Sequence, residues 1–437
     1  MKIRFYHARI LTMEEGQPVL EGELWVEQER ITYVGPETKA SEIRASEERK
    51  WDQEIDCQGN LLMPGFKNAH THSGMTLLRS YADDLPLHSW LNEQVFPIEA
   101  KLTADDIYHL TKLAVLEYLT SGITAIFDMY LTPESIAEAC SEMGMRCVQT
   151  GAVNNFSQSL ELLRKWTDTL NGRDPLISFL PGFHAEYTCS RELLEELAGF
   201  AQSDKLPMYM HLSETEAEVL GCKERYGMTP GMFLDSLGMF DHGGGIFHGV
   251  WLTGEERDML KEKQVSIVTN PASNMKLASG IAPVVDFLKE GLDVAIGTDG
   301  PASNNCLDMF REMFLVTGLA KLSTKDASAV DAMEVLKMAT VNGAKAMRLW
   351  EADTLAPGKL ADLIMIDLHQ PNMQPLNYIE KNIVYSGSKQ NVIMSMIHGR
   401  ILYRKGEFLG GVDPEAIYAK ANEIIGRIRN HEQVHKS

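Results

Sequence analysis

Up to about residue 58, apolar and polar positions alternate, as in IRFYHARILT and then GELWVEQERITYVG, where Leu24, Val26, Ile31 and Tyr33 fall on one side. A period of two belongs to half-buried strands, so this segment reads as a small β unit. From Thr103 the period lengthens. Ile107, Leu110, Ala114 and Tyr118 make one helical stripe, and Thr103 with Asp106 has the spacing of a capping box. Gly122 ends that element, and Ile123 to Phe127 reads as a buried strand.

The same alternation then repeats. Helix candidates at Pro133 to Met143, Ser157 to Leu170, Ser190 to Gln202, Gly254 to Lys263 and Ala282 to Glu290 are each followed by a short apolar strand: CVQTGAV, LISFLPGF, PMYMHL, VSIVT and LDVAIGT. GGGIFHG adds another after an irregular helical region through Leu237, and Leu61 to Met63, broken by Pro64 and Gly65, supplies a strand before His70. Eight βα units predict an α/β chain built on a TIM (β/α)8 barrel, here over residues 59–355. No GxGxxG follows any strand, which counts against a doubly wound sheet. Beyond a helix around Ala332 to Met347 the pattern returns to β in LADLIMIDL, NIVYSG and NVIMSMIHGRILYRKGEF, the last a hairpin across His398, Gly399 and Arg400. Residues 1–58 and 356–437 are thus expected to form a small β-sandwich from both chain ends. A terminal helix from Pro414 to about Arg429 lies outside it, followed by a loose HEQVHKS tail.

Composition narrows the functional classes. The 437 residues carry a formal net charge of -20, which disfavours a nucleic-acid backbone or an anionic membrane as partner. No run has signal-peptide or membrane-spanning character, so a cytoplasmic protein is expected, with self-association left open. The six cysteines, Cys57, Cys140, Cys147, Cys189, Cys222 and Cys306, are scattered without a CxxC pair, as for reduced thiols.

Candidate chemistry gathers at strand ends. His70 and His72 are two apart, so in extended backbone both imidazoles point to one face. His211 ends PMYMHL, His248 ends GIFHG and Asp299 ends DVAIGTDG. The C-terminal ends of barrel strands are where such a fold carries its chemistry. Imidazoles with one hard carboxylate suit zinc or iron(II).

HTHSGMTLLRSYADDLP, HLSE, FHG, NPASNMKLASGIAPV and GTDGPASNN, in this order across nearly the whole chain, resemble the amidohydrolase superfamily. They are most similar to its branch that deaminates methylthioadenosine and S-adenosylhomocysteine. That resemblance implies one divalent metal ion per chain, usually zinc, on His70, His72, His211 and Asp299. The matching His248 and Glu214 lie beside the metal's water, with Glu214 shuttling a proton to the substrate ring. A bridging lysine on the fourth strand marks the two-metal branch, and LISFLPGFH has none. The resemblance further assigns Glu99 to the ribose hydroxyls and His184 to the purine, with Trp90 and Ser303 as additional substrate contacts. Relatives acting well on S-adenosylhomocysteine can carry an arginine after the third strand, where this chain has Gly151; Arg164, Lys165 or Arg173 could replace it by folding over. Two rival readings accompany an adenosine-type deaminase. One is a deaminase of another amino-heterocycle (guanine, 8-oxoguanine, a pterin or a triazine), the other a catalytically silent barrel scaffold.

Overall fold

The computed structural model describes residues 1–47, 50–81, 83–85 and 89–435. Two parallel sheets carry the βα repeat. The first runs Phe66–Thr71, Ile123–Met129, Arg146–Thr150 and Ile177–Leu180, and the second Gly182–Ala185, Met208–Leu212, Gly244–His248, Val265–Thr269 and Val294–Ile296, each in chain order. Only Pro181 separates the two sheets in sequence, and it has no N–H to give a ladder. At the other end, Asp299 N–H donates to His70 O at 2.9 Å and Thr298 N–H to Asn68 Oδ1 at 2.8 Å, tying the last strand to the first. The strands are buried because helices cover them, which is why they read as apolar runs rather than alternations.

Local chemistry explains the helix starts. Thr103 and Asp106 form the expected capping box, and Ala104–Thr120 follows with Ile107, Leu110, Ala114 and Tyr118 all buried. Ser159, Ser190, Thr215 and Thr253 cap four further helices with their hydroxyls.

A nine-stranded sheet joins both chain ends. Leu61–Pro64 is its seam, antiparallel to Leu363–Ile366 and parallel to Lys2–Ile10. The Leu61 to Met63 run therefore belongs to this sheet, not to the one that bears His70. Pro64 and Gly65 pass the chain from one sheet to the other; a side chain at Gly65 would lie 2.1 Å from Thr124 Cγ2. The hairpin at His398 and Gly399 is present, with φ of 52° and 71°, both positive as a type I′ turn requires.

Three further expectations are corrected, and one helix is added. NIVYSG is helical, in the turn Asn382–Ser386 that continues Ile379–Lys381, and Ile383 and Val384 are both buried where a one-sided strand would bury one. Helix Met309–Thr324, capped by Asp308, escapes the periodicity reading because exposed Phe314 and Leu322 blur its apolar stripe. Glu37–Glu47 is a helix within the N-terminal β unit, docked by Ala40 and Ile43 on Trp25 and Tyr33 and by the ion pair of Arg44 with buried Glu23. The terminal helix runs Pro414–His435, so most of the expected loose tail is helical, while Lys436 and Ser437 lie outside the described residues. No helix among the described residues is long and apolar enough to cross a membrane.

One buried ion pair fastens the two parts. The Arg146 guanidinium on the third parallel strand donates to Asp362, with Nη2 at 3.1 Å from Oδ1, and His398 N–H donates to the same carboxylate at 2.8 Å. Fully buried Lys67 feels the charges of both. Asp362→Ala is expected to cost about 3–5 kcal/mol by leaving Arg146 buried without its counter-charge, as measured by equilibrium urea denaturation.

Candidate active site

The strand ends converge on one polar cluster. His72 Nε2 lies 3.1 Å and His70 Nε2 3.5 Å from Asp299 Oδ1. The His211 ring faces His248 with centroids 5.5 Å apart, and His70 stacks on Phe247 at 3.8 Å. Donor atoms of His70, His211 and His248, and those of His70, His72 and Asp299, each lie within 4.8 Å of one another. His70 belongs to both groups. It is fully buried, yet neither of its nitrogens has a hydrogen-bond partner, a costly state for a polar ring unless a nitrogen serves an ion. The donor set therefore fits a divalent cation.

Backbone and side-chain acceptors set the other rings. His72 Nδ1 donates to Met129 O, His211 Nδ1 to His184 O at 2.7 Å, and His248 Nδ1 to Asn274 Oδ1 at 2.7 Å. Each bond fixes the tautomer and leaves Nε2 turned to the centre. Burial alone would raise the Asp299 carboxyl, but the hydrogen bond and charge of His72, with the charges of His248 and His70, hold it well below its ordinary range. Its oxygens also accept from Ser273 Oγ at 2.5 Å, Ser303 Oγ at 3.0 Å and Gly300 N–H at 2.7 Å.

Glu214, three residues past His211, accepts from Ser279 Oγ at 3.1 Å, and its Oε2 is 3.8 Å from His248 Nε2. Buried Glu218 holds that turn, its carboxylate accepting the N–H of Ser213 at 2.7 Å and of Glu214 at 2.8 Å. Burial pushes the Glu218 carboxyl up to about 7, against those two bonds.

A cavity of about 390 Å³ opens on this cluster. Every residue expected in the site lines it except fully buried His70: His72, Trp90, Glu99, His184, His211, Glu214, His248, Asp299 and Ser303. Trp90 comes from the helical turn Trp90–Val95 and Glu99 from Phe96–Glu99. Glu99 is partly exposed as a residue, but its Oε1 is buried and without a hydrogen-bond partner. Burial drives its carboxyl up to about 7, opposed by the Tyr130 hydroxyl and the His72 charge. Burial, with the charge of His72, likewise pushes the His184 imidazole down to about 4, so that it is neutral at neutral pH, with Nδ1 3.2 Å from Thr188 Oγ1. Ser303 spends its hydroxyl on Asp299. No lysine or arginine lines the cavity among the described residues.

Ser273, Asn274, Ser279 and Glu218 are functional neighbours that sequence reasoning did not single out. The first three lie inside NPASNMKLASGIAPV, a motif read whole, whose hydroxyl and amide partners only the fold brings near. Gly151 permits no substitute: a Cβ there would be 2.5 Å from Leu163 Cδ1 and 2.8 Å from Gly182 O. Lys165 is paired with Glu134 at 3.0 Å, and Arg164 lies over the Phe200 ring, 3.9 Å from Asp204.

Comparison with known proteins agrees with this geometry. The model of the amidohydrolase family matches residues 61–402. A 5-methylthioadenosine/S-adenosylhomocysteine deaminase of Caldanaerobacter subterraneus subsp. tengcongensis is 40% identical over 434 residues, covering 96% of each chain. A 5'-deoxyadenosine deaminase of Methanococcoides burtonii is 40% identical over 433 residues, covering 96% of this chain and 97% of its own. Among solved structures, an adenosine deaminase from Xanthomonas campestris with bound zinc superposes with a TM-score of 0.90 at 33% identity, covering 98% of both chains. The chain therefore belongs to the amidohydrolase family. Within it, the chain is a hydrolase acting on carbon–nitrogen bonds.

Ser273→Ala removes a hydrogen bond from a carboxylate at the centre of the donor set. A loss of about 10- to 100-fold in kcat/KM is expected, with an unchanged circular dichroism spectrum.

Proposed function

We propose that the chain hydrolytically deaminates adenosine-type nucleosides, such as adenosine, 5'-methylthioadenosine or S-adenosylhomocysteine, to the inosine analogue and ammonia. The observation that carries this reading is one cavity bearing the imidazole–carboxylate cluster with Glu214 and, on its wall, Glu99 with an unpaired carboxylate oxygen. Relatives of about 40% identity named for 5'-methylthioadenosine, S-adenosylhomocysteine and 5'-deoxyadenosine support it.

His70, His72, His211 and Asp299 hold one ion, with zinc favoured by the zinc-bound relative and iron(II) compatible with the same donors. Such an ion, when bound, acts as a Lewis acid that makes a water nucleophilic near neutral pH. Glu214 takes a proton from the attacking water and delivers it to the ring nitrogen beside the reacting carbon. His248, its Nδ1 committed to Asn274, offers Nε2 to that water and orients it with Asp299. Attack of the water oxygen on the amine-bearing carbon gives a tetrahedral centre; the remaining hydroxyl proton passes through Glu214 to the amino nitrogen, and the C–N bond breaks to release ammonia as the ring carbonyl forms. Neutral His184 bonds the purine, Trp90 walls the base, and Glu99 accepts from both ribose hydroxyls, two acceptors to two donors.

The same reading joins the two parallel sheets into one (β/α)8 barrel over residues 59–355, interrupted at Pro181, with Leu61–Pro64 lent to the terminal sheet. The Asp299 to His70 backbone bond supports closure. Residues 1–58 and 356–437 form a β-sandwich with a terminal helix; an apolar cluster that includes Ile3, Phe5, Leu24, Leu363 and Met396 from both ends supports that part. The enzyme acts in the cytoplasm on a small molecule, without a nucleic-acid or membrane partner.

Ammonia release from a panel of nucleosides and free bases tests the proposal, which fails if guanine, a pterin or a triazine is preferred or if nothing is turned over. Metal analysis should give about one divalent ion per chain, lost in the His70→Ala, His72→Ala double variant. Glu214→Gln should retain the ion and lose about 10²- to 10⁴-fold in kcat, since an amide keeps the shape but moves no proton. Glu99→Ala should cut kcat/KM for adenosine about 10- to 100-fold while leaving free adenine little affected, because only the nucleoside presents the diol.

A further inference from the structure

A second cavity, about 640 Å³, adjoins the first. Leu91, Phe96, Phe156, Tyr187, Thr188 and Glu214 line both, so the two spaces are continuous. Its rim is aromatic and open to solvent: Phe156 is 75% exposed, Tyr187 39% and Phe96 36%. Ala217, itself exposed, lines the cavity from helix Glu216–Tyr226.

The charged groups of this chamber are already matched. Arg225 is forked onto fully buried Glu186, with Nη2 to Oε2 at 2.6 Å and Nε to Oε1 at 3.2 Å. Glu218 spends its carboxylate on two backbone N–H groups. Gly151 has no room for a side chain, and Arg164 and Lys165 face Asp204 and Glu134. Beyond Asn92, Thr188, Thr215 and Glu214, the chamber therefore presents apolar wall, with no uncompensated cation among the described residues.

We propose that this chamber is a subsite for a bulky, uncharged, apolar 5' substituent. Adenosines with 5'-alkylthio tails longer than methyl are then better substrates than those ending in a carboxylate. The inference rests on the nucleoside reading. A ribose held at Glu99 lies one helical turn from Phe96, which lines both spaces, so the 5' carbon has the chamber within reach of a short tail. Each methylene buried there is worth about fourfold in binding.

Steady-state kcat/KM for adenosine, 5'-methylthioadenosine, 5'-butylthioadenosine and S-adenosylhomocysteine on the metal-loaded enzyme tests this. The butylthio compound should exceed both adenosine and S-adenosylhomocysteine by at least tenfold, and should exceed the methylthio compound. A butylthio value at or below the methylthio value, or S-adenosylhomocysteine ranking first, overturns the inference while leaving the nucleoside reading intact. Absence of ammonia from all four overturns the nucleoside reading, and the inference falls with it. Ala217→Phe narrows the chamber and should reduce the butylthio-to-adenosine ratio, measured on that variant, at least tenfold; an unchanged ratio counts against the subsite. The ratio is internal to each preparation, so partial misfolding does not alter it.

Discussion

Burying an ionised carboxylate costs several kcal/mol unless opposite charge and hydrogen bonds replace its water. Asp299 is buried and ionised, and its surroundings answer that cost from three directions. His70 and His72 approach from the end of the first parallel strand, Ser273 from the short helix Pro271–Lys276 that follows Val265–Thr269, and Gly300 and Ser303 from the segment that follows Asp299 itself. None of these groups is close to more than one of the others in sequence. Their meeting depends on the βα repeat setting consecutive strand ends side by side. The fold and the site are thus one problem: the carboxylate is tolerable only where the strands converge.

The backbone at those ends is bent to suit. Ser213, His248 and Asp299 all have positive φ, at 50°, 75° and 59°, conformations that cost about 1–3 kcal/mol each in residues other than glycine. Each is held by its neighbours. Gly249 N–H and Trp251 N–H donate to Leu212 O and Ser213 O, Asp299 N–H donates to His70 O, and the Glu218 carboxylate grips the Ser213 turn. Extended strands that simply ran on would carry these side chains past the cavity. The turned ends aim Glu214 and His248 across it at each other.

Much of this was legible because it is periodic. Apolar runs at regular spacing gave the parallel strands, and helix limits such as Pro133–Met143 came out to the residue because proline and glycine bracket them. His70, His72, His211, His248 and Asp299 stood out as polar residues where apolar strands stop. The misses have physical causes. Leu61–Pro64 is as apolar as its neighbours, and only its pairing with Lys2–Ile10 on one side and with the distant Leu363–Ile366 on the other decides which sheet it joins. Met309–Thr324 hides its stripe behind exposed apolar residues, and NIVYSG looks like a strand until both of its branched residues are buried. Ser273, in a short helix, and Ser279, in a loop, are ordinary serines until the fold brings carboxylates to them.

The seam strand also has consequences for how the chain is made. Leu61–Pro64 needs Leu363–Ile366 on one edge, and the ribosome delivers the two about 300 residues apart, which at 5–20 residues per second is roughly 15–60 seconds. For that interval an apolar strand edge, the kind that recruits other chains, waits beside the segment bearing His70. Nascent chains in crowded polysomes are therefore open to cross-pairing at this edge, and a chaperone that masks it need act only until residue 366 has emerged.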